Sequence, residues 1–192
     1  MSVANIVKKT GGVSEVLSKP SELANFKGDK IILPGVGAFD KAMSTLRNDG
    51  WYEELNKFVA DSNHKILGIC LGMQLMFNSS EEGEMLGLGW IDGYVKKFKH
   101  SDKLLKTPHM GWNEIVPSKG SVLFDSKEIP DRFYFVHSYY AVCKNETNII
   151  ATCNYGVTFT CAIAQSNIYG VQFHPEKSHR YGMQLISKFM SL

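Results

Sequence analysis

The chain has 192 residues, of which 44% are hydrophobic and 21% are charged, a size and composition that suit one compact domain with a substantial core. The formal net charge of +2 gives no reason to expect nucleic acid or an anionic membrane as a partner. Charges interrupt the first 23 residues, and no segment is long and apolar enough to span a membrane. We therefore expect a cytosolic protein.

The cysteines show neither a CxxC pair nor the Cys/His spacing of a structural zinc site. In a reducing compartment they are not expected to form disulfides. We expect no metal site, and at least three of the four thiols are expected to be small core residues. The cysteines are Cys70, Cys143, Cys153 and Cys161.

The first part of the chain predicts helices and a buried strand. Ser2 is a candidate N-cap, and the glycines of the following TGG would end the helix that Ser2 begins. A short strand is expected at 13–17, and DKIILPG at 29–35 is typical of a buried strand that ends at a Pro-Gly break. Residues 39–62 predict one long or two short amphipathic helices, interrupted near 48–50.

The middle of the chain predicts a strand that turns directly into a helix. KILGIC at 65–70 is typical of a second buried strand and 71–77 of a helix, which places Cys70 at the turn between them. Beyond residue 83 the chain changes to short runs rich in aromatic and β-branched residues, typical of hairpins, and 178–190 is again helix-like. The pattern indicates a three-layer α/β fold with an added run of hairpins.

One basic stretch, KKFKHSDKLLK at 96–106, stands out from the otherwise balanced charge. A charge run of this length favours a solvated hairpin or loop. A docking surface for a protein partner is the alternative.

Cys70 lies between Gly68 and Gly72 in GICLG, which fits the GxCxG form of a nucleophile elbow. A turn that holds its central side chain clear of the sheet crowds its neighbours, so it favours glycine on both sides. The amides at the start of the following helix would favour the thiolate. The pentapeptide alone leaves open a core cysteine beside incidental glycines.

A base and an orienting group are offered by GVQFHPEKS at 170–178. The imidazole of His174 can take the thiol proton, and the carboxylate of Glu176 can fix the ring. Pro175 between them limits how the two side chains are presented, because its φ is fixed. A surface His–Glu pair is the alternative. The other histidines lack a comparable setting, although His137, in a long aromatic run, fits a core position.

An anion site is offered by LPGVGAF at 33–39. Thiolate attack on an amide generates an oxyanion, and removing one buried donor to such a charge costs roughly 3 to 4 kcal/mol. The backbone N–H groups of Gly35, Val36 and Gly37 can turn toward one point, and the amide of Leu71 can supply a further donor. An ordinary glycine turn is the alternative.

Taken together, PGVGAF, GICLGMQ and GVQFHPEKS resemble the class I glutamine amidotransferases, in which Cys, His and Glu hydrolyse glutamine to glutamate and ammonia. PHMGWN at 108–113 and YFVHSY at 134–139 closely resemble, within that family, the glutaminase subunits of imidazole glycerol phosphate synthase. The resemblance runs from about residue 2 to the C-terminus. It implies a single domain over residues 1–192, with a mostly parallel sheet flanked by helices and extra antiparallel hairpins in the second half.

The resemblance also implies roles for individual residues. Cys70 is the expected nucleophile, His174 the general base and acid, and Glu176 the orienting carboxylate. Gln74 lies one helical turn beyond the nucleophile, which returns it to the same face. The glutamine-binding positions of the family fall on Gly37, Gln74, Ser138 and Tyr139.

The implied function is that of a glutaminase that passes ammonia to a separate (β/α)₈ cyclase subunit in a heterodimer. That partner makes imidazole glycerol phosphate and an aminoimidazole carboxamide ribonucleotide in histidine biosynthesis, and no metal or organic cofactor is implied. A paralogue that supplies ammonia for amidine formation on a surface sugar and a regulatory subunit without turnover are the alternatives. A general peptidase or esterase is disfavoured, because it has no role for Gln74 or the YFVHSY run.

Family members usually open with a buried strand and a Gly-Asn turn ahead of the helix that matches residues 2–10. Here Met1 stands directly before that helix, so the family's first strand has no counterpart in the chain. We expect the coding sequence to continue upstream. The triad and the oxyanion segment are unaffected by this difference.

Overall fold

The computed structural model of the protein describes residues 2–99, 105–125 and 128–192. Helix α1 (Val3–Lys9) begins after Ser2, whose hydroxyl accepts a hydrogen bond from the Asn5 N–H at 3.3 Å. The predicted N-cap is therefore confirmed. The strand expected at 13–17 is wrong, because the segment has no regular structure and Val13 is fully exposed. A strand needs a neighbour to pair its backbone groups, and among the described residues no strand pairs with this segment.

The helices of the first half match the two-helix version of the prediction. Helix α2 (Pro20–Ala24) is followed, after a strand, by α3 (Phe39–Asn48) and α4 (Trp51–Ala60). Gly50 separates the last two with a φ of +82°, a conformation that glycine adopts at little cost.

Three parallel strands position the candidate nucleophile. Strand β1 (Lys30–Gly35) pairs with β2 (Lys65–Cys70), and β2 pairs on its other side with β10 (Ile168–Val171). Their carboxyl ends lie at one edge of the sheet, where ligands of open α/β sheets usually bind.

Helix α5 (Leu71–Gln74) follows β2 directly but is shorter than the 71–77 expected. The chain leaves the helix at Leu75, and Phe77–Ser80 forms strand β3, paired in parallel with β4 (Ile91–Lys97). Phe77 is completely buried in this sheet. Because a short apolar run suits a helix and a buried strand equally, the long-range pairing with β4 decided the outcome.

The second half of the chain supplies mainly antiparallel strands, as predicted. They are β5 (His109–Pro117), β6 (Arg132–His137), β7 (Tyr139–Cys143), β8 (Ile149–Asn154) and β9 (Thr158–Gln165). Single 3-10 turns occur at Glu146–Asn148 and Pro175–Lys177, and α6 (His179–Ser191) ends the chain close to the predicted range.

The described strands form one ten-stranded mixed sheet with the order β1-β2-β10-β9-β7-β4-β3. Strand β8 branches from β9, β5 pairs with β8, and β6 pairs with β5. Alternate residues of β2 enter cores on opposite faces: Leu67 and Ile69 pack in the core that includes α1 and α6, and Ile66 packs with α2 and α4. The α/β fold class with helices on both faces of the sheet is confirmed. The sheet is mixed rather than mostly parallel, because the hairpins of the second half join it with antiparallel pairings.

The basic stretch at 96–106 is only partly described. Lys96 and Lys97 end β4, and Phe98 is buried against the rings of His137 and Tyr140. A loop is the expected structure for the rest of the stretch. Most of that loop, residues 100–104, lies outside the described residues. In the part of the chain that the structure covers, no helix has the length and apolar character needed to cross a membrane.

Candidate active site

Cys70 stands at the turn between β2 and α5 in a backbone conformation that side chains rarely adopt. Its φ is +55° and its ψ is −110°, and 8% of the residue is exposed. A non-glycine residue held at positive φ stores strain that the surrounding structure must offset, and such residues concentrate at functional sites. The geometry matches the nucleophile elbow that the sequence predicts.

The two flanking glycines are required by the close packing of this turn. A Cβ on Gly72 would overlap the carbonyl oxygen of Leu33 in β1, and a Cβ on Gly68 would lie 2.7 Å from the carbonyl carbon of Gly72. Contacts this short do not occur between a Cβ and a backbone atom. The glycines therefore let α5 lie directly on the sheet, and they are not incidental.

His174 and Glu176 form a buried pair just beyond the end of β10. The imidazole Nδ1 lies 2.8 Å from the carboxylate Oε1, and the side chains are only 5% and 12% exposed. Pro175 begins the 3-10 turn that brings the two side chains together. The backbone N–H of His174 donates to the carbonyl of Tyr134 in β6 at 2.9 Å. The alternative of an exposed surface pair does not fit this burial.

The electrostatics of the pair favour a protonated imidazole. Burial acts to lower the pKa of His174, but the Cys70 sulfur and the Glu176 carboxylate outweigh it and raise the pKa to about 9. Burial likewise acts to raise the pKa of Glu176, and the hydrogen bond with His174 reverses the direction, so that this pKa is lowered. The imidazole Nε2 is buried without a hydrogen-bond partner among the described residues, which leaves it available for proton transfer.

Ser178 is a supporting residue that the sequence reasoning missed. Its fully buried hydroxyl accepts from the Tyr134 N–H at 3.0 Å and donates to the His174 carbonyl at 2.6 Å. The serine therefore ties the His174 turn to β6. Its position ahead of a helix suggests an N-cap, yet the side chain makes no capping bond to α6, because it is used in this clamp.

The first residue of the glycine segment 35–37 lies beside the nucleophile. Gly35 pairs with Cys70 in the register of β1 and β2, and Leu71 follows Cys70 as the first residue of α5. Val36 is 83% exposed, and Gly37 has a φ of +99° with open space where a Cβ would stand. The segment therefore starts at the site and has room to change the orientation of its peptide groups.

Two of the expected glutamine-binding residues contact each other, and a third lies in the same segment as a carbonyl near the nucleophile. Gln74 donates from Nε2 to the carbonyl of Tyr139 at 3.1 Å. Ser138 lies between β6 and β7, immediately before Tyr139. The carbonyl of Val136 in the same segment lies 4.0 Å from the Cys70 sulfur.

Gln172 is the second residue that sequence reasoning missed. It is completely buried, its Nε2 lies 3.7 Å from the Cys70 sulfur, and its Oε1 accepts from Gln74 at 2.9 Å. The signal was present in the strand period: residues two apart in an extended chain share a face, which places Gln172 on the side of His174.

Two buried histidines lie behind the Tyr139 carbonyl. His137 donates from Nδ1 to that carbonyl at 2.7 Å, and its Nε2 lies 3.0 Å from Nδ1 of His109. Burial lowers the pKa of His137 to about 3, so this ring stays neutral. The core position expected for His137 is confirmed, whereas its pairing with His109 was not foreseen.

Comparison with known proteins identifies the family. The family model described as "Glutamine amidotransferase class-I" matches residues 3–191. The chain belongs to the class I glutamine amidotransferases. It is 47% identical over 189 residues to a Methanococcus maripaludis protein named imidazole glycerol phosphate synthase subunit HisH 2, with 98% of this chain and 92% of that relative covered. A Bdellovibrio bacteriovorus protein named subunit HisH of the same synthase is 46% identical over 191 residues, with 98% and 93% covered.

Solved structures show the family fold at much lower sequence identity. A glutamine amidotransferase from Methylobacillus flagellatus matches with a TM-score of 0.67 at 11% identity, covering 97% of this chain and 87% of that one. The glutaminase domain of a Trypanosoma brucei CTPS, solved with bound acivicin, matches with a TM-score of 0.62 at 18% identity, covering 97% and 81%. At these identities the likeness concerns the fold alone.

Proposed function

We propose that the chain is the glutaminase subunit of imidazole glycerol phosphate synthase and hydrolyses glutamine through Cys70, His174 and Glu176. The observation that carries the proposal is the buried His174–Glu176 pair beside a nucleophile elbow. The HisH names of relatives at 46–47% identity support the choice of synthase.

In the first half of the reaction the Cys70 sulfur attacks the side-chain carboxamide carbon of glutamine. The C–N bond breaks, His174 gives its proton to the departing nitrogen as ammonia leaves, and a γ-glutamyl thioester remains on the sulfur. Because its pKa is raised to about 9, His174 holds the required proton at neutral pH. Glu176 accepts the hydrogen bond from Nδ1 and so keeps Nε2 toward the reacting atoms.

In the second half a water molecule attacks the thioester carbonyl. His174 takes the proton from that water, the C–S bond breaks, and glutamate leaves with the Cys70 sulfur restored. No atom beyond those of glutamine and water is consumed, and no cofactor enters the scheme. Within residues 2–99, 105–125 and 128–192, no cluster of His, Cys, Asp and Glu side chains is suited to hold a metal ion.

The remaining site residues are assigned to charge stabilisation and substrate binding. The amides of Gly35, Val36, Gly37 and Leu71 form the proposed oxyanion site next to the nucleophile. The side-chain N–H groups of Gln74 donate to Tyr139 and Gln172. Its Oε1 is therefore left to accept a hydrogen bond from glutamine. Ser138 and Tyr139 are the other proposed glutamine-binding residues, and the Tyr139 carbonyl accepts from Gln74.

The proposed partner is a (β/α)₈ cyclase subunit that forms a heterodimer with this chain and receives the ammonia. An exposed apolar surface beside the site supports a docked partner: Met110 is 61% and Trp112 is 40% exposed on β5. The Trp112 ring stacks on His179 at 5.6 Å, and Lys177, next to Glu176, lies 5.5 Å above the Tyr134 ring. Aromatic residues and methionine are enriched at the centres of protein interfaces, where lysine is depleted.

The cytoplasm is the proposed location. All four cysteines are free thiols in the structure, which fits a reducing compartment.

The test is to copurify the chain with a histidine-pathway cyclase and to measure glutamate release with and without that subunit. We expect a stable complex, faster glutamate release in it, and synthesis of imidazole glycerol phosphate from glutamine. A complex of Cys70→Ala should synthesise the product only from added ammonia. Binding instead to a synthase that forms an amidine on a surface sugar would support that alternative, and glutamine binding without any turnover would support a regulatory subunit.

A further inference from the structure

We propose that Gln172 is a positioning residue that holds an N–H donor against the Cys70 sulfur and thereby favours its thiolate form. The inference rests on the proposed function, since it assigns a further residue to the same nucleophile. The buried carboxamide lies between Cys70 and Gln74, with its Nε2 at 3.7 Å from the sulfur.

The orientation of the Gln172 carboxamide follows from a backbone carbonyl that can only accept. The Tyr139 carbonyl requires Gln74 to present its Nε2, at 3.1 Å. The second proton of that Nε2 is donated to Gln172 at 2.9 Å, so the oxygen of Gln172 must face Gln74. The donor end of Gln172 is therefore the end that faces the sulfur.

The Tyr139 carbonyl is also fixed by a hydrogen bond from His137, which belongs to a row of hydrogen-bonded side chains. Asn113 donates to the carbonyl of Asn154 at 2.9 Å, which fixes its Nδ2 toward His109 at 3.2 Å. Because the Nδ1 of His137 must donate to Tyr139 at 2.7 Å, its Nε2 accepts from Nδ1 of His109. Each bond in this buried row has one possible direction, so the acceptor that orients Gln74 does not turn away.

The Gln172 donor acts beside the protonated His174 imidazole, which also favours a thiolate at Cys70. A further polar neighbour of the sulfur opposes ionisation. The carbonyl of Val136 lies 4.0 Å from the sulfur and can accept the thiol proton, but it repels a thiolate. A hydrogen bond to a charged acceptor is stronger than one to a neutral acceptor, so the Gln172 contact gains strength when Cys70 ionises. Gln172 is completely buried, and no surface water competes for its donor.

The test measures thiolate formation directly, without glutamine. The rate at which iodoacetamide alkylates Cys70 is followed by mass spectrometry of its peptide from pH 5 to pH 10, in the unmodified chain and in Gln172→Met and Gln172→Leu. Both changes introduce an apolar side chain of similar size and remove the donor. We expect alkylation at pH 7 to slow about tenfold, equivalent to about 1.4 kcal/mol, and the midpoint of the pH profile to rise by about one unit.

Gln165→Leu is the matched control. Gln165 is a half-buried glutamine whose carboxamide also bridges two polar groups, the Trp90 carbonyl and the Asn148 amide. It pairs with Ile168, which is level with Ile66 in β2, so it lies at the other end of these strands from Cys70. Its replacement should lower the melting temperature without moving the alkylation profile. Gln74→Leu keeps Gln172 but removes the bond that orients it, and we expect an upward shift of the midpoint smaller than that of the Gln172 variants.

A pH profile for a folded Gln172 variant that coincides with that of the unmodified chain would overturn the inference, and a lowered melting temperature alone would then show a packing role. Circular dichroism shows which Gln172 variant is folded. The pH profile of either folded variant is enough to test the inference. Failure of the proposed function is a separate result, because it would appear as continued glutamine hydrolysis by Cys70→Ala.

Discussion

The carbonyl oxygen of Leu33 in β1 occupies the position that a Cβ of Gly72 would take in α5. This contact lets the first turn of the helix lie on the sheet beside Cys70. We expect Gly72→Ala to destabilise the protein by about 1–3 kcal/mol, because the added methyl group forces the helix away from the strand. Chemical denaturation measures the loss, and the change should also abolish glutaminase activity through displacement of the elbow.

Gly120→Ala provides the control for that substitution. Gly120 has a positive φ of +78° but open space around the Cβ position, so only backbone strain is introduced there. We expect a loss of about 1 kcal/mol with activity retained. Equal effects of the two substitutions on activity would contradict the assigned role of the Leu33 contact.

The four thiols should differ sharply in reactivity. Burial raises the pKa of Cys143 to about 11 and of Cys153 to about 12, and it also raises the pKa of Cys161. These three thiols are protonated at neutral pH, so a glutamine-analogue alkylating agent should label Cys70 alone. Cys70→Ala should lower glutamine hydrolysis roughly 10⁴-fold or more. Peptide mapping provides the check, and preferential labelling of another cysteine would refute the assignment.

The side chains whose arrangement matches the prediction are those whose sequence signals are local. Gly68, Cys70 and Gly72 occupy one turn, and His174 and Glu176 are two residues apart, so their spacing carried the geometry. The break between α3 and α4 was equally local, since Gly50 alone supplies it.

The features that sequence reasoning missed depend on partners far along the chain. The segment at 13–17 has strand-like composition but no neighbouring strand, and α5 ends early because Phe77 pairs into the sheet. Gln172 acquires its role from contacts with residues about a hundred positions earlier. The strand period places Gln172 on the side of His174, but local pattern does not identify Gln74 and Cys70 as its partners.

The raised pKa of His174 predicts an upper limit to the pH range of activity. The protonated imidazole supplies the proton to departing ammonia. On the alkaline side of the pH profile, activity should therefore be retained below pH 9 and fall as the pH rises through about 9. Glu176→Gln removes a charge that raises this pKa, so the upper midpoint should move down by about 1–2 pH units. The kcat/KM profile of the residual activity measures the shift.

Glu53→Gln on the exposed face of α4 is the control for the pH experiment. It removes the same charge far from the site, and its profile should match that of the unmodified enzyme. An upper midpoint that stays in place in Glu176→Gln would show that the carboxylate does not act on the imidazole.

Gly37 predicts that the isolated chain is a slow glutaminase. Its φ of +99° and the open space around it let its peptide turn either way at little cost, so an oxyanion donor is not held in place. Loss of one such donor lowers kcat roughly 100-fold, and we expect that factor between the isolated chain and its complex with the ligand-bound synthase. Steady-state glutamate release measures it. Equal rates in both states would exclude the gating while leaving the triad assignment intact.

The exposed ring of Trp112 predicts the centre of the partner interface. It stacks on His179 and packs edge-on against Tyr134, so a docked subunit meets an ordered aromatic surface rather than a mobile side chain. Truncation of a central interface tryptophan commonly costs about 2 kcal/mol or more, so Trp112→Ala should weaken binding of the cyclase at least ~30-fold. Isothermal titration calorimetry measures the affinity. Leu86→Ala, at an apolar residue that is more exposed than Trp112 and whose backbone carbonyl contacts Arg47, should leave the affinity unchanged. Equal weakening by both variants would place the interface elsewhere.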